Sequence, residues 1–303
     1  MTANNSASPP FTLFALPKAF RGHTEIIQRN AIMSWTRLRP GPEIILFGDD
    51  PGTAEVAQEF RLRHIPEVER NAEGTPLLHD LFAKAEQAAN SDLLCYVNSD
   101  IMLMDDFPAA VGRVRDCSPP MMMVGRRWEV DLGKPWDFVQ PDWQQGLRSY
   151  AQSQGRLQST AAIDYFVFSR GLGRNLLPLA IGRMRWDNWL VWHARSQKAT
   201  VIDASSVVMV IHQNHDYSHH PGGTEGVWRG DEAKRNRALI GDWYRMLTVE
   251  DATHKLTPAG LKRLYLHPWL TVKRAWSHPL GVAKLVARTV AKPFRHRPAP
   301  RFG

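Results

Sequence analysis

"LLCYVNSDIML", Leu93 to Leu103, decides how the chain is read. An apolar and aromatic run leads into Asn98-Ser99-Asp100, and apolar residues resume at once. A carboxylate at the end of a buried strand marks a site, because in open α/β sheets ligands sit beyond the carboxyl ends of the strands. The resumed "IMLM" implies that the same strand continues beneath the ligand.

Working outward, the residues before this stretch alternate short apolar runs with helical patterns. "FTLFALP" (11–17) and "EIILFGDD" (43–50) read as buried strands, the second ending on Asp49 and Asp50. "HTEIIQRNAIMSWTRL" (23–38) places Ile26, Ile27, Asn30, Ala31, Ser34 and Trp35 at helical spacing. "GTAEVAQEFRLRH" starts a second helix capped by Thr53, and "IPEVER" reads as a short strand. "PLLHDLFAKAEQAAN" (76–90) is a helix with Leu77, Leu78, Leu81, Phe82 and Ala85 on one face. Short, continuously apolar strands separated by helices indicate an α/β fold with a mostly parallel central sheet flanked by helices. Neither a GxGxxG after the first strand nor a Walker motif is present, which argues against NAD-type and P-loop folds. Downstream, "MMMVGRRWEVDL" (121–132), "AAIDYFVFSRGL" (161–172) and the apolar part of 199–220 read as strands, and 187–197 as a helix.

"YVNSDI" resembles the D-x-D motif of GT-A glycosyltransferases (glycosyltransferase family 2-like), with Asn98 at the first acidic position. Four further stretches fit. "FTLFALPKAF" resembles the family's first strand and nucleotide-contacting loop, bringing in Pro17. Asp49 and Asp50 occupy the acidic position that meets the nucleoside. "RWDNWL" (185–190) resembles the acidic motif at a helix start that supplies the base in inverting members, here Asp187. "VIHQNHDYSHH" (210–220) falls where a late histidine completes the metal site. The resemblance covers roughly 11–220 and implies a GT-A, Rossmann-like fold.

It further implies Mn²⁺ or Mg²⁺ held by Asp100 with His212 and His215, and donor contacts from Pro17, Asp49, Asp50, Asn98, Ser99, Asp100 and Asp164. Asp187 is the expected base. The activity implied is transfer from a nucleotide-sugar, UDP-sugar by default, to a glycan or lipid-linked acceptor in envelope polysaccharide biosynthesis, with inversion. The chemistry suits these residue types. A hard cation prefers carboxylate oxygens, and Mn²⁺ accepts imidazole. Blander readings stand beside them: Asp187 as a helix cap, Asp164 as the partner of Arg126 or Arg127, His219 and His220 as solvated loop residues, and the tryptophans as core. A sugar-nucleotide nucleotidyltransferase and a non-catalytic glycan-binding protein are the alternative functions. The first usually has glycines and more basic residues after the first strand than "ALPKAFRGH" offers.

The net charge of +8 is uneven. Residues 252–303 hold 11 Lys and Arg and no Asp or Glu, so the preceding body is mildly acidic. In "GVAKLVARTVAK", Lys284, Arg288 and Lys292 form a basic stripe opposite Val282, Leu285 and Val286. That is the pattern of an interfacial helix on an anionic membrane surface, and its apolar content argues against nucleic acid. The expected organisation is a disordered 1–10, a GT-A domain over 11–256 with a donor half (11–105) and an acceptor and catalytic half (106–256), and a basic tail over 257–303. Two cysteines, Cys95 and Cys117, give no disulfide framework, and "MTANNSASPP" lacks the order of a signal peptide. The expected location is the cytoplasm, with the tail peripheral at the inner membrane face.

Overall fold

The computed structural model of the chain describes residues 10–117, 120–215 and 223–265. His219, His220 and the stripe through Lys284 to Lys292 lie outside them, as does the expected disordered start apart from Pro10. The chain divides into two units. One runs to Gly241 and includes Arg245–Leu264; the other takes Asp242–Tyr244 and everything from Tyr265. The elements below belong to the first.

The alternation read from the sequence is present: β1 (Thr12–Ala15), α1 (Gly22–Thr36), β2 (Glu43–Phe47), α2 (Thr53–Glu59), β3 (Arg63–Ile65), α3 (Leu78–Ala88) and β4 (Leu93–Val97). The third strand lies earlier than "IPEVER", and Gly52, not Thr53, precedes α2 as its cap. Then come β5 (Ile101–Met102), α4 (Asp106–Val114), β6 (Met121–Val124), β7 (Arg127–Val130), α5 (Trp143–Gln154), β8 (Arg156–Leu157), β9 (Tyr165–Ser169) and α6 (Trp186–Ser196). β10 (Thr200–Asp203), β11 (Val210–Gln213), α7 (Gly223–Arg229), α8 (Asp231–Ile240), β12 (His254–Thr257) and β13 (Gly260–Arg263) complete the described chain.

Nine strands form the main sheet, in the order β13-β12-β10-β6-β9-β4-β1-β2-β3. β9 runs antiparallel to both β4 and β6, and β13 antiparallel to β12; the other pairs are parallel. This is the expected α/β class, a large mostly parallel central sheet with flanking helices. Strand alternation sends Leu13, Cys95 and Val97 to one face with Trp35 and Phe107. Phe14, Leu94 and Tyr96 go to the other, with Phe82 and Phe168. Each buried large side chain contributes about 1.5–3 kcal/mol. β13 extends the sheet into the stretch expected as tail, so the folded body reaches at least Arg263.

The opening stretch does not continue as one strand. After β4 the chain turns tightly, with Ile101 N–H donating to Asn98 O at 3.1 Å, and β5 joins a second sheet of order β5-β11-β7-β8. "MMMVGRRWEVDL" is likewise split, β6 in the main sheet and β7 in the small one. Gly125 sits at that crossing. A Cβ there would lie 2.3 Å from the Tyr165 hydroxyl and 3.3 Å from Ser205 N, so any larger residue would force the buried Tyr165 side chain to shift. Met102, Val130, Leu147 and Ile211 form a third cluster between the small sheet and α5.

Candidate metal and donor site

Strand register builds the site. In β11, His212 is paired with Ile101 on one side and Glu129 on the other. That register sets His212 beside the turn carrying Asp100, and Gln213 N–H donates to Asp100 O at 3.2 Å. Three residues on, His215 comes back to the same carboxylate. Asp100 Oδ2 lies 3.1 Å from His215 Nε2 and 3.6 Å from His212 Nε2. One ligand atom from each of the three falls within 4.8 Å of the others. The three side chains are 12–15% exposed, shielded but reachable.

The electrostatics fit a cation. Burial pushes Asp100 up, but His212, His215 and Lys18 outweigh it and hold the carboxyl well below its usual range. Burial also lowers His212, Asp100 opposing it, so its ring is uncharged at neutral pH with a lone pair to give. Asp100 Oδ1 and His212 Nδ1 are buried and have no hydrogen-bond partner among the described residues. Such atoms are costly to leave unmet, and a cation with its own ligands meets that need.

Asn98 is not a spare metal ligand. Its Oδ1 accepts from the Tyr96 hydroxyl at 3.0 Å and its Nδ2 donates to Asp164 Oδ1 at 2.8 Å. Arg127 holds the other Asp164 oxygen and donates to Glu129 Oε1 at 2.8 Å. An amide at position 98 can donate to Asp164 where a second carboxylate would repel it. Asp164 is therefore the partner of Arg127, one of the two arginines expected. Ser99 is buried with its Oγ unmet among the described residues, and Pro17 is buried.

Asp187 lies in the first turn of α6, whose Trp186 ring meets Tyr96 edge-on at 5.3 Å. Its Oδ1 accepts from Asn188 N–H at 2.8 Å, so it does help satisfy the helix start. Burial, reinforced by Asp164 and opposed by the Asn188 N–H, pushes its carboxyl up to about 7. Asp49 and Asp50 sit together after Gly48, whose φ of +91° suits glycine. Both pair with Arg70 Nη2, at 2.6 and 3.0 Å. Arg70, read from the sequence only as the end of "IPEVER", is thus part of this corner.

Two buried amides were not legible as site residues. Gln213 Nε2 donates to Asp100 O at 3.0 Å and to Ile27 O at 2.8 Å, while its Oε1 accepts from Asn30 Nδ2 at 2.9 Å. The signal available was alternation: next to His212 on a strand, Gln213 must face the opposite way. Lys18 is held by Gln28, which bonds both its N–H and its carbonyl at 2.7 and 2.8 Å. Burial lowers the Lys18 ammonium, against the pull of Asp100, with Arg183 adding to the lowering.

No protein-family model matches the chain, and no curated protein matches it. The chain is similar to solved sugar-transferring enzymes. One is a mannosyltransferase from Pyrobaculum calidifontis in complex with GDP-Man and Mn²⁺, at 15% identity and TM-score 0.42, over 68% of this chain and 57% of that one. Another is glucosyl-3-phosphoglycerate synthase from Mycobacterium tuberculosis with Mn²⁺, UDP and phosphoglyceric acid, at 15% identity and TM-score 0.46, over 77% of each chain. A third, S. aureus TarS with UDP-GlcNAc, is 13% identical at TM-score 0.32 over 40% of this chain. No described helix is long and apolar enough to cross a membrane.

Proposed function

We propose that the chain is a GT-A-type glycosyltransferase that moves a sugar from a nucleotide-sugar to a hydroxyl acceptor with the help of a divalent cation. The observation that carries this reading is the convergence of Asp100, His212 and His215 where two sheets meet, with Asp187 at a nearby helix start. One carboxylate and two imidazoles favour Mn²⁺ over Mg²⁺, which prefers oxygen. Bound there, the cation would neutralise the charge that grows on the departing diphosphate.

The chain's own residues do the rest. Lys18, on the loop clamped by Gln28 and within the field of Asp100, supplies a second positive charge for the diphosphate. Pro17 and Ser99 border the same loop and turn. Asp49 and Asp50, fixed by Arg70, take the nucleoside. Asp164 and Arg127 hold Asn98, and with it the turn that ends in Asp100. Asp187 accepts the proton of the attacking hydroxyl. A carboxyl that titrates near neutrality is matched to that task, and such a base contributes ~10²–10⁴-fold. A base opposite the leaving group gives inversion.

The acceptor is a glycan or lipid-linked glycan of the cell envelope, the default donor a UDP-sugar. The basic, apolar tail holds the enzyme reversibly at the inner face of an anionic membrane. Release of UDP or GDP from their sugar conjugates, assayed with Mn²⁺ and with EDTA, tests the activity. Turnover with Mn²⁺ alone is expected; equal turnover in EDTA would reject the metal role, and none with any donor the enzyme reading.

A further inference from the structure

A separate cavity of about 640 Å³ opens between α5 and the loop after β7, within the ~300–1,000 Å³ range of small-ligand sites. Trp136, Trp143 and Tyr150 supply its aromatic wall, and Asp131, Asp137 and Asp142 its charge, against Lys134 alone. We propose that this cavity binds a non-anionic sugar ring, and that it is the acceptor subsite. The second half rests on the glycosyltransferase reading; the first does not.

The aromatic wall is built. Trp136 and Tyr150 pack with ring centroids 5.9 Å apart, and the Tyr150 hydroxyl donates to Asp131 O at 2.8 Å. The Trp136 ring packs over α5 at Gly146, 3.8 Å from where a Cβ would stand, which is ordinary contact distance. Trp143 is fixed edge-on against Phe138 at 4.9 Å. The Trp136 indole N–H is buried with no acceptor among the described residues. Rigid rings that bind apolar faces, next to carboxylates that accept hydrogen bonds, suit the two kinds of surface a sugar presents: C–H faces and hydroxyl edges. The same carboxylates repel phosphate and uronate groups.

The cavity is also joined to the metal-ligand cluster. β7 and β11 are parallel, so their carboxyl ends share one edge of the small sheet. Beyond that edge, Asn214 Nδ2 donates to Asp131 Oδ1 at 2.9 Å, one residue before His215. On the other side, the Trp136 backbone N–H donates to Asn30 Oδ1 at 2.8 Å, Asn30 Nδ2 donates to Gln213 Oε1, and Gln213 Nε2 donates to Asp100 O. A ring held against Trp136 is thus registered to the Asp100 turn through two buried amides.

The test titrates the full chain with maltotriose, mannotriose, cellotriose and triacetylchitotriose, and with trigalacturonate, following tryptophan fluorescence. At least one neutral trisaccharide is expected to bind with millimolar or tighter Kd, and trigalacturonate at least tenfold more weakly. Trp136→Ala should weaken the neutral ligand at least tenfold and Trp136→Phe less, with the melting transition of each variant confirming its fold. Asp137→Asn with Asp142→Asn should narrow the gap between neutral and anionic ligands. Binding by none of the neutral sugars, equal binding of trigalacturonate, or full affinity in folded Trp136→Ala would overturn the proposal. Calorimetry of UDP and GDP with Mn²⁺ on the wild type separates the two claims. Sugar binding without nucleotide binding would leave a carbohydrate pocket and reject the transferase reading. Nucleotide binding without sugar binding would reject this pocket alone.

Discussion

Replacing Asp187 by Asn should make the protein more stable and less active, and the two effects should separate by pH. The side chain keeps its shape, and an amide oxygen can still accept from Asn188 N–H. What it loses is the charge. Asp187 titrates at about 7 in the fold against an ordinary value of 3.8. The folded chain therefore holds this proton to higher pH than the unfolded chain does. Between those values the folded state binds more protons, so stability falls as pH rises and the penalty is complete above about 7. A gap of this size sets a ceiling on the order of 4 kcal/mol, and the partial exposure of Asp187 reduces it to about 1–2 kcal/mol. Asn carries no such penalty. Urea denaturation of both proteins at pH 5 and pH 8, in EDTA so that no cation lowers the Asp187 value, should show Asp187→Asn gaining about 1–2 kcal/mol relative to wild type at the higher pH. Other titrating groups cancel in the difference. At pH 8 with Mn²⁺, turnover should drop ~10²-fold or more. A stability difference that stays constant across pH would refute the raised carboxyl. Wild-type turnover would leave Asp187 as a helix-start residue only.

Further outcomes follow from the same contacts. His212→Gln and His215→Gln should each weaken Mn²⁺ binding by at least tenfold in calorimetry while leaving the fold intact by circular dichroism; full affinity in both would remove the histidines from the site. Asn98→Asp would set a carboxylate against Asp164 in place of a 2.8 Å hydrogen bond, costing about 1–3 kcal/mol; unchanged stability in urea denaturation would contradict the pairing. Gly125→Ala should destabilise by about 1–3 kcal/mol, because its methyl would overlap the Tyr165 hydroxyl; a neutral result in thermal unfolding would show that the crossing can relax.

What could be read from the sequence was what continuous apolar runs encode. β1 and β4 are buried along their length, and β2 from Ile44 on, and they announce themselves, as do α1 and α3 by spacing. The small sheet was hidden. β5 is two residues long, and β7, "RWEV", alternates in a way that four residues cannot distinguish from a loop. Without it, "IMLM" looked like more of β4. α4 carries Pro108 and Gly112, and α5 carries Gly146, so neither has a clean helical signature. Asp100, His212 and His215 were legible because each stands at or just past the end of an apolar run, where side chains point toward a ligand. Asn30 and Gln213 were not, since a buried amide gives no pattern until its partner 183 residues away is known. Arg70 was missed for the same reason: charge pairing with Asp49 and Asp50 depends on the fold, not on local spacing.

The central claim is that Asp100, His212 and His215 hold the cation that meets the donor diphosphate. Pulsed electron paramagnetic resonance of the chain with one equivalent of Mn²⁺ and UDP, and in parallel GDP, reads that contact directly. The account predicts nitrogen couplings from two imidazoles together with phosphorus coupling from the nucleotide, and the loss of one nitrogen coupling in either His212→Gln or His215→Gln. Phosphorus coupling without nitrogen, or Mn²⁺ that stays fully hydrated, would contradict it.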